Sequence, residues 1–136
     1  FVNSTANWSA LPANASSLAF SRLTFLPNII EASISAFNEF YQLAQKLDIC
    51  WPESMNGILS SGWVNPMHTQ VPGTDEDYGF GGKCFPKDIS AFIRYFEEKG
   101  INPLIMKATV EKNMEVRQNL NWLNIEGAMI KEDKDE

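Results

Sequence analysis

From Ile30 onward, apolar side chains recur every three or four positions: Ile34, Phe37, Tyr41 and Ala44 follow at helical spacing. Phe40, Leu43 and Leu47 widen that stripe, and Pro27 suits a first helical turn, where its missing N–H would be unpaired anyway. The pattern predicts one long helix over residues 27–47. Aromatic residues lie on more than one of its sides, which leaves two readings open. The helix packs against a second copy or a further domain, or it runs through the middle of a monomer's own core.

Cys50-Trp51-Pro52 interrupts the period, and Pro52 can open a short helix reaching residue 59. Residues 60–82 hold a series of breakers, among them Gly62, Pro66, Pro72, Gly73, Gly79, Gly81 and Gly82. A loop of that length in a small domain points to function or disorder. The next helix is expected over residues 86–99, with Ile89, Phe92, Ile93 and Phe96 inward and Gly100 as its stop. Asn102-Pro103 reads as N-cap and first position of a further helix ending near residue 117. Leu104, Ile105, Ala108 and Met114 are expected on its core side, with Val110 left unassigned. The fold class is therefore mostly α, a helical domain built around one long helix. Residues 1–26, rich in Ser, Asn and Ala, form a loose lead-in that docks through Trp8 and Leu11. Residues 27–128 form the helical domain, and residues 129–136 a charged tail.

Composition narrows the partners. With 136 residues, 44% of them apolar, the chain fits one domain with a core. A net charge of −6 argues against general affinity for nucleic acid or anionic membrane. The apolar runs fall short of the ~20 residues a membrane span needs. Two cysteines, Cys50 and Cys84, make no disulfide framework and suit a reducing, cytoplasmic compartment. With His68 as the one histidine, no metal site is expected. Glycosylation triplets at Asn3, Asn7 and Asn14 would suit a secreted binding domain, a reading weakened by the lack of a signal-peptide pattern.

The chemistry concentrates in Gly79-Phe80-Gly81-Gly82-Lys83-Cys84-Phe85-Pro86-Lys87-Asp88. Glycines let backbone approach a ligand closely. Cys84 precedes the expected helix start at Pro86 and lies between Lys83 and Lys87; a helix N-terminus and cations both favour thiolate over thiol. Asp88, one turn on, can handle a proton or a water. The plainer alternatives are a small buried cysteine beside a turn and an aspartate that caps a helix. The Lys-Ser/Thr ending of a phosphate loop is absent. Cys50 has no such setting and reads as packing, Trp63 reads as a loop anchor, and His68 as a surface or loop-packing residue.

This run resembles the cysteine motif of the nucleotide-sugar dehydrogenases of the UDP-glucose 6-dehydrogenase type. Asn38-Glu39-Phe40, the Val71-Pro72-Gly73 turn and the stretch EKNMEVR ending at Arg117 add to the likeness, which covers residues 34–128. The resemblance implies a two-step oxidation of a sugar primary alcohol to a carboxylate with NAD as cofactor and no metal. Cys84 would be the nucleophile and Asp88 the acid/base residue, while Gly79, Phe80, Gly81 and Lys87 would serve the sugar-nucleotide site. It also implies the central, dimerising portion of such an enzyme, a homodimer through the long helix, with no turnover by itself. No GxGxxG dinucleotide pattern occurs in the chain. Where the family places a helix Lys, a helix Asn and an Arg before the loop, this sequence has Leu23, Pro27 and Trp63. Arg22 and Asn28 lie next door, but one residue on a helix turns a side chain by about 100°. Those departures favour the alternative of a non-catalytic assembly module derived from the family.

Overall fold

The computed structural model describes residues 24–82 and 84–124. The expected lead-in through residue 23, Lys83 and the charged tail therefore lie outside the described residues. Four helices follow in chain order: α1 Leu26–Lys46, α2 Trp51–Ser60, α3 Cys84–Glu98 and α4 Leu104–Val116. A 3-10 turn, Asn121–Asn124, closes the described chain. No strand occurs among the described residues. The fold is all helical, as the spacing predicts.

Prolines set the helix starts. Pro27 and Pro52 each sit in a first turn, where no N–H is required of them. Pro86 does the same inside α3, so that helix begins two residues earlier than expected, at Cys84 itself. Pro103 differs from expectation in the other direction. It takes the N-cap position of α4, while Asn102 stays outside: its backbone carbonyl accepts the Leu104 N–H at 3.0 Å and its side-chain Oδ1 accepts from Lys107 Nζ at 3.4 Å. At the end of α3, Gly100 adopts φ +74. Its N–H reaches Glu97 O at 2.9 Å and the Ile101 N–H reaches Phe96 O at 2.9 Å, the paired bonds of a left-handed helix stop.

α1 is the spine. It packs against α4, α3 and α2, and α3 also meets α4. Ile34, Phe80 and Ile89 form the buried apolar centre, with Ile30, Phe85, Ile93, Met106 and Val110 packed around it. Phe92 is buried and meets Phe96 edge-on at 4.7 Å, as the α3 pattern requires. Tyr41 joins α2 through the Trp51 ring at 5.4 Å.

The inward face of α4 corrects the sequence reading. Leu104 and Ile105 are 68% and 71% exposed, and Met114 is exposed as well. Thr109 and Asn113 are buried in their place, together with Arg117 just beyond the helix. α1 follows the same rule in part: beside Ile34, Phe37 and Ala44 it buries Asn28, Glu31, Ser35 and Asn38. Ser35 and Asn38 point inward with backbone to bind. Ser35 Oγ donates to Thr109 O at 3.1 Å and ties the two helices directly.

Candidate active site

The loop between α2 and α3 has no regular structure, yet its glycine stretch is firmly held. Asn38, on α1, accepts the Gly79 N–H at 3.2 Å through Oδ1 and anchors its own amide on Ile34 O at 2.9 Å. Asn113, on α4, brackets Phe80: its Oδ1 accepts the Phe80 N–H at 2.7 Å and its Nδ2 donates to Phe80 O at 2.9 Å. Two asparagines on neighbouring helices thus replace the ladder a strand would supply.

Arg117 completes the clamp. Its guanidinium donates to Asp75 at 2.6 Å, to Tyr78 O at 3.2 Å and to Asn119 O at 3.2 Å, with Asp77 at 3.4 Å. It also lies over the Trp122 ring at 5.8 Å. The hydrogen bond from Arg117 holds Asp75 below the usual carboxylate range. Burial pushes Asp77 up, but the backbone N–H groups of Asn119, Gln118 and Tyr78, with the Arg117 charge, outweigh it and bring it down.

These contacts explain the glycines at two positions. A Cβ on Gly79 would collide with Asn113 Oδ1, and Gly79 also holds φ +65. A Cβ on Gly81 would strike the Arg117 guanidinium. The close approach required of this loop is therefore first an approach to Asn113 and Arg117.

A cleft of about 600 Å³ opens beside the loop. Gly79, Phe80, Gly81 and Gly82 form one wall, with His68, Gln70, Asp75 and Arg117 around them. His68 stands edge-on to Phe85 at 6.5 Å, a packing role in agreement with its reading. Trp63 is not the anchor expected: it is 92% exposed, and the asparagines and Arg117 hold the loop instead.

Cys84 follows the loop as the first residue of α3, between Gly82 and Phe85 of the cleft wall. Its side chain is exposed, not sealed among hydrocarbon. Asp88 lies four residues later on the same helix face and pairs with Lys87 at 3.2 Å. Of the expected site residues, Gly79, Phe80 and Gly81 line the cleft, while Cys84, Lys87 and Asp88 lie on the first turns of α3 and are not among the residues that line it. Cys50 is also exposed and unpaired, so the packing role read for it from the sequence is corrected.

Residues 26–115 match the model of the UDP-glucose/GDP-mannose dehydrogenase family, central domain, which is well over half of the chain. The chain belongs to this family. A UDP-glucose 6-dehydrogenase of Pseudomonas aeruginosa is 40% identical over 42 residues, 31% of this chain and 9% of that protein's length. No solved structure matches the chain. The match to the family's central domain includes α1, α2, α3, the glycine loop and nearly all of α4.

Asn113, Arg117, Asp75, Asp77 and Trp122 were missed as site-building residues by the apolar pattern. Thr109, Asn113 and Arg117 do recur at four-residue spacing, a polar stripe that marks a buried hydrogen-bonding face as an apolar stripe marks a core. Ser35 and Asn38 follow the same rule on α1. Among the described residues no group of His, Cys, Asp and Glu is arranged for a metal, and no helix is long and apolar enough to cross a membrane.

Proposed function

We propose that this chain is the substrate-binding and dimerising portion of an NAD-dependent nucleotide-sugar dehydrogenase of the UDP-glucose to UDP-glucuronate type. The observation that carries the reading is an exposed cysteine on the first turn of α3, next to a cleft walled by the glycine loop, in a chain of this family. Cys84 is the nucleophile, Asp88 the acid/base residue, and Lys87 supports Asp88. Gly79, Phe80 and Gly81 present backbone to a nucleotide-sugar ligand.

The described residues hold no strand–glycine turn–helix unit of the kind that cradles a dinucleotide, so they do not fit NAD. What the chain's own residues do is covalent. The Cys84 sulfur adds to an aldehyde carbon; the carbonyl π electrons move to oxygen, which takes a proton, and a thiohemiacetal results. Covalent capture keeps the aldehyde from escaping between two oxidations. Loss of a hydride to NAD⁺ and of the hydroxyl proton would turn the thiohemiacetal into a thioester, whose acyl carbon water can attack. Asp88 takes the water's proton, the carbon–sulfur bond breaks, and the sulfur leaves as thiolate.

Alkylation with iodoacetamide near neutral pH tests this. Cys84 should react much faster than Cys50, although both are exposed. Equal, slow rates would favour the assembly-module reading instead. The purified 136-residue chain should show no turnover with UDP-glucose and NAD⁺, and measurable turnover would overturn that statement.

The outer side of α1 supports a homodimer. Leu26 and Ile29 near its start and Phe40, Leu43 and Leu47 near its end are all exposed, apolar side chains of the kind that mark an interface. Sedimentation at micromolar concentration should give a dimer, and a monomer would defeat the idea. The exposed, unpaired cysteines support a reducing, cytoplasmic setting.

A further inference from the structure

Beyond α4 the chain runs back against the glycine loop and is fastened there at two points. Arg117 leaves the helix in an extended conformation. The backbone N–H groups of Gln118 and Asn119, which follow it, donate to the Asp77 carboxylate at 3.2 and 2.9 Å. The same carboxylate accepts the Tyr78 N–H at 2.7 Å, so it ties this segment to the residues that enter the glycine stretch.

The second fastening is Trp122. It is 2% exposed, the largest of the fully buried side chains, and it stands on the closing 3-10 turn rather than on any of the four helices. A cavity of about 30 Å³ is walled by Trp122 together with Phe80 of the glycine loop, Pro86 and Ile89 of α3, and Val110 and Asn113 of α4. Three elements thus meet around one indole, and a void that small admits no turn of the ring without displacing its neighbours. Pro86 stands two residues after Cys84, and its carbonyl accepts the Ser90 hydroxyl at 2.7 Å. Phe85, between Cys84 and Pro86, meets Phe80 edge-on at 6.2 Å. The turn that bears Cys84 is therefore bounded by the glycine loop, through Phe85 and Phe80, and by the indole, through Pro86.

We propose that residues 117–122 are a latch, and that Trp122 is a positioning residue that sets the Cys84 turn against the glycine loop. Asp77 holds one end of the latch and Trp122 the other, so releasing either end loosens both the loop and the start of α3. Cys84 is already exposed. Loosening therefore grants its sulfur no new access and only removes the fixed setting of the helix start. The bearing on catalysis rests on Cys84 being the nucleophile; the latch itself does not.

Hydrogen exchange and iodoacetamide alkylation of the full chain test this. In Trp122→Ala the Gly79 and Phe80 amides should exchange faster by about tenfold relative to the amides around Tyr41, where α1 meets α2. The ratio of Cys84 to Cys50 alkylation should fall by about tenfold, and Trp122→Phe should restore both readings. Asp77→Asn, at the other end of the latch, should give the same pattern, and it carries the test should Trp122→Ala not fold. The double variant should be no worse than the stronger single one, because a latch opens once. Equal acceleration of every slow amide would reduce Trp122 to a core residue and overturn the proposal. An alkylation ratio that stays put when wild-type Cys84 is fast would overturn it as well. A wild-type Cys84 no faster than Cys50 would sink the dehydrogenase reading and leave the amides to decide the latch, so the two failures are distinguishable.

Discussion

The start and the middle of one face of α1 behave in opposite ways. Midway along it, Ser35 and Asn38 are buried and bonded, to Thr109 O and to the Gly79 N–H. At its N-terminal end, Thr24, Asn28 and Glu31 are buried as deeply and leave oxygens unpaired. The difference is in the partners met: Ser35 reaches a carbonyl of α4 and Asn38 the Gly79 N–H of the irregular loop, while no described group bonds the Glu31 carboxyl. A buried polar side chain strengthens a fold only where it meets a group that would otherwise go unmade. Elsewhere it is a cost, tolerated for another reason. The same contrast separates Arg117, which binds groups on every side, from Glu31, which binds none of the described ones.

Substitutions can break that comparison. Arg117→Ala should cost the most, about 3 kcal/mol in urea unfolding, because it leaves the largely buried Asp77 and the Tyr78 carbonyl without their cation. Asn113→Ala should follow at about 2 kcal/mol, since both polar atoms of the buried Phe80 backbone lose their partner. Glu31→Met should go the other way at mildly alkaline pH, with stability unchanged or raised, because no bond is lost and an orphaned group is removed. A loss as large as that of Asn113→Ala would show that the start and the middle of the helix are not different after all.

Acidity sharpens the contrast. Below the unfolded carboxyl value of 4.5, Glu31 is protonated whether or not the chain is folded. Above it the unfolded chain releases the proton while the folded chain retains it, so Glu31 makes stability fall as pH rises from 4.5 toward about 9. Asp75 and Asp77 have the opposite sign. Both are lowered in the fold, so their contribution is present at neutral pH and is lost as pH falls through the carboxylate range. Urea midpoints measured across pH should therefore show an acid loss that Arg117→Ala reduces and an alkaline loss that Glu31→Met abolishes.

The helix boundaries were legible to within two residues, because they depend on local chemistry. Pro27 and Pro52 lack an N–H to place and Gly100 tolerates positive φ, whatever surrounds them. The cysteine run was legible for a different reason, its likeness to a family, and Cys84 does stand exposed at a helix start. The facing of α4 was not legible from apolar spacing. Leu104 and Ile105 look like core, yet they lie outward while Thr109 and Asn113 turn in.

The amino-acid order alone determined where helices begin and stop and which run of residues could carry chemistry, since both are settled within a few neighbours along the chain. Which face of each helix turns inward was decided only in three dimensions. The glycine loop is distant in sequence from Asn113 and Arg117, and its unpaired backbone draws their polar face inward at the expense of the apolar one. Glu31 belongs to the same class: burial raises its hold on the proton, and only packing buries it.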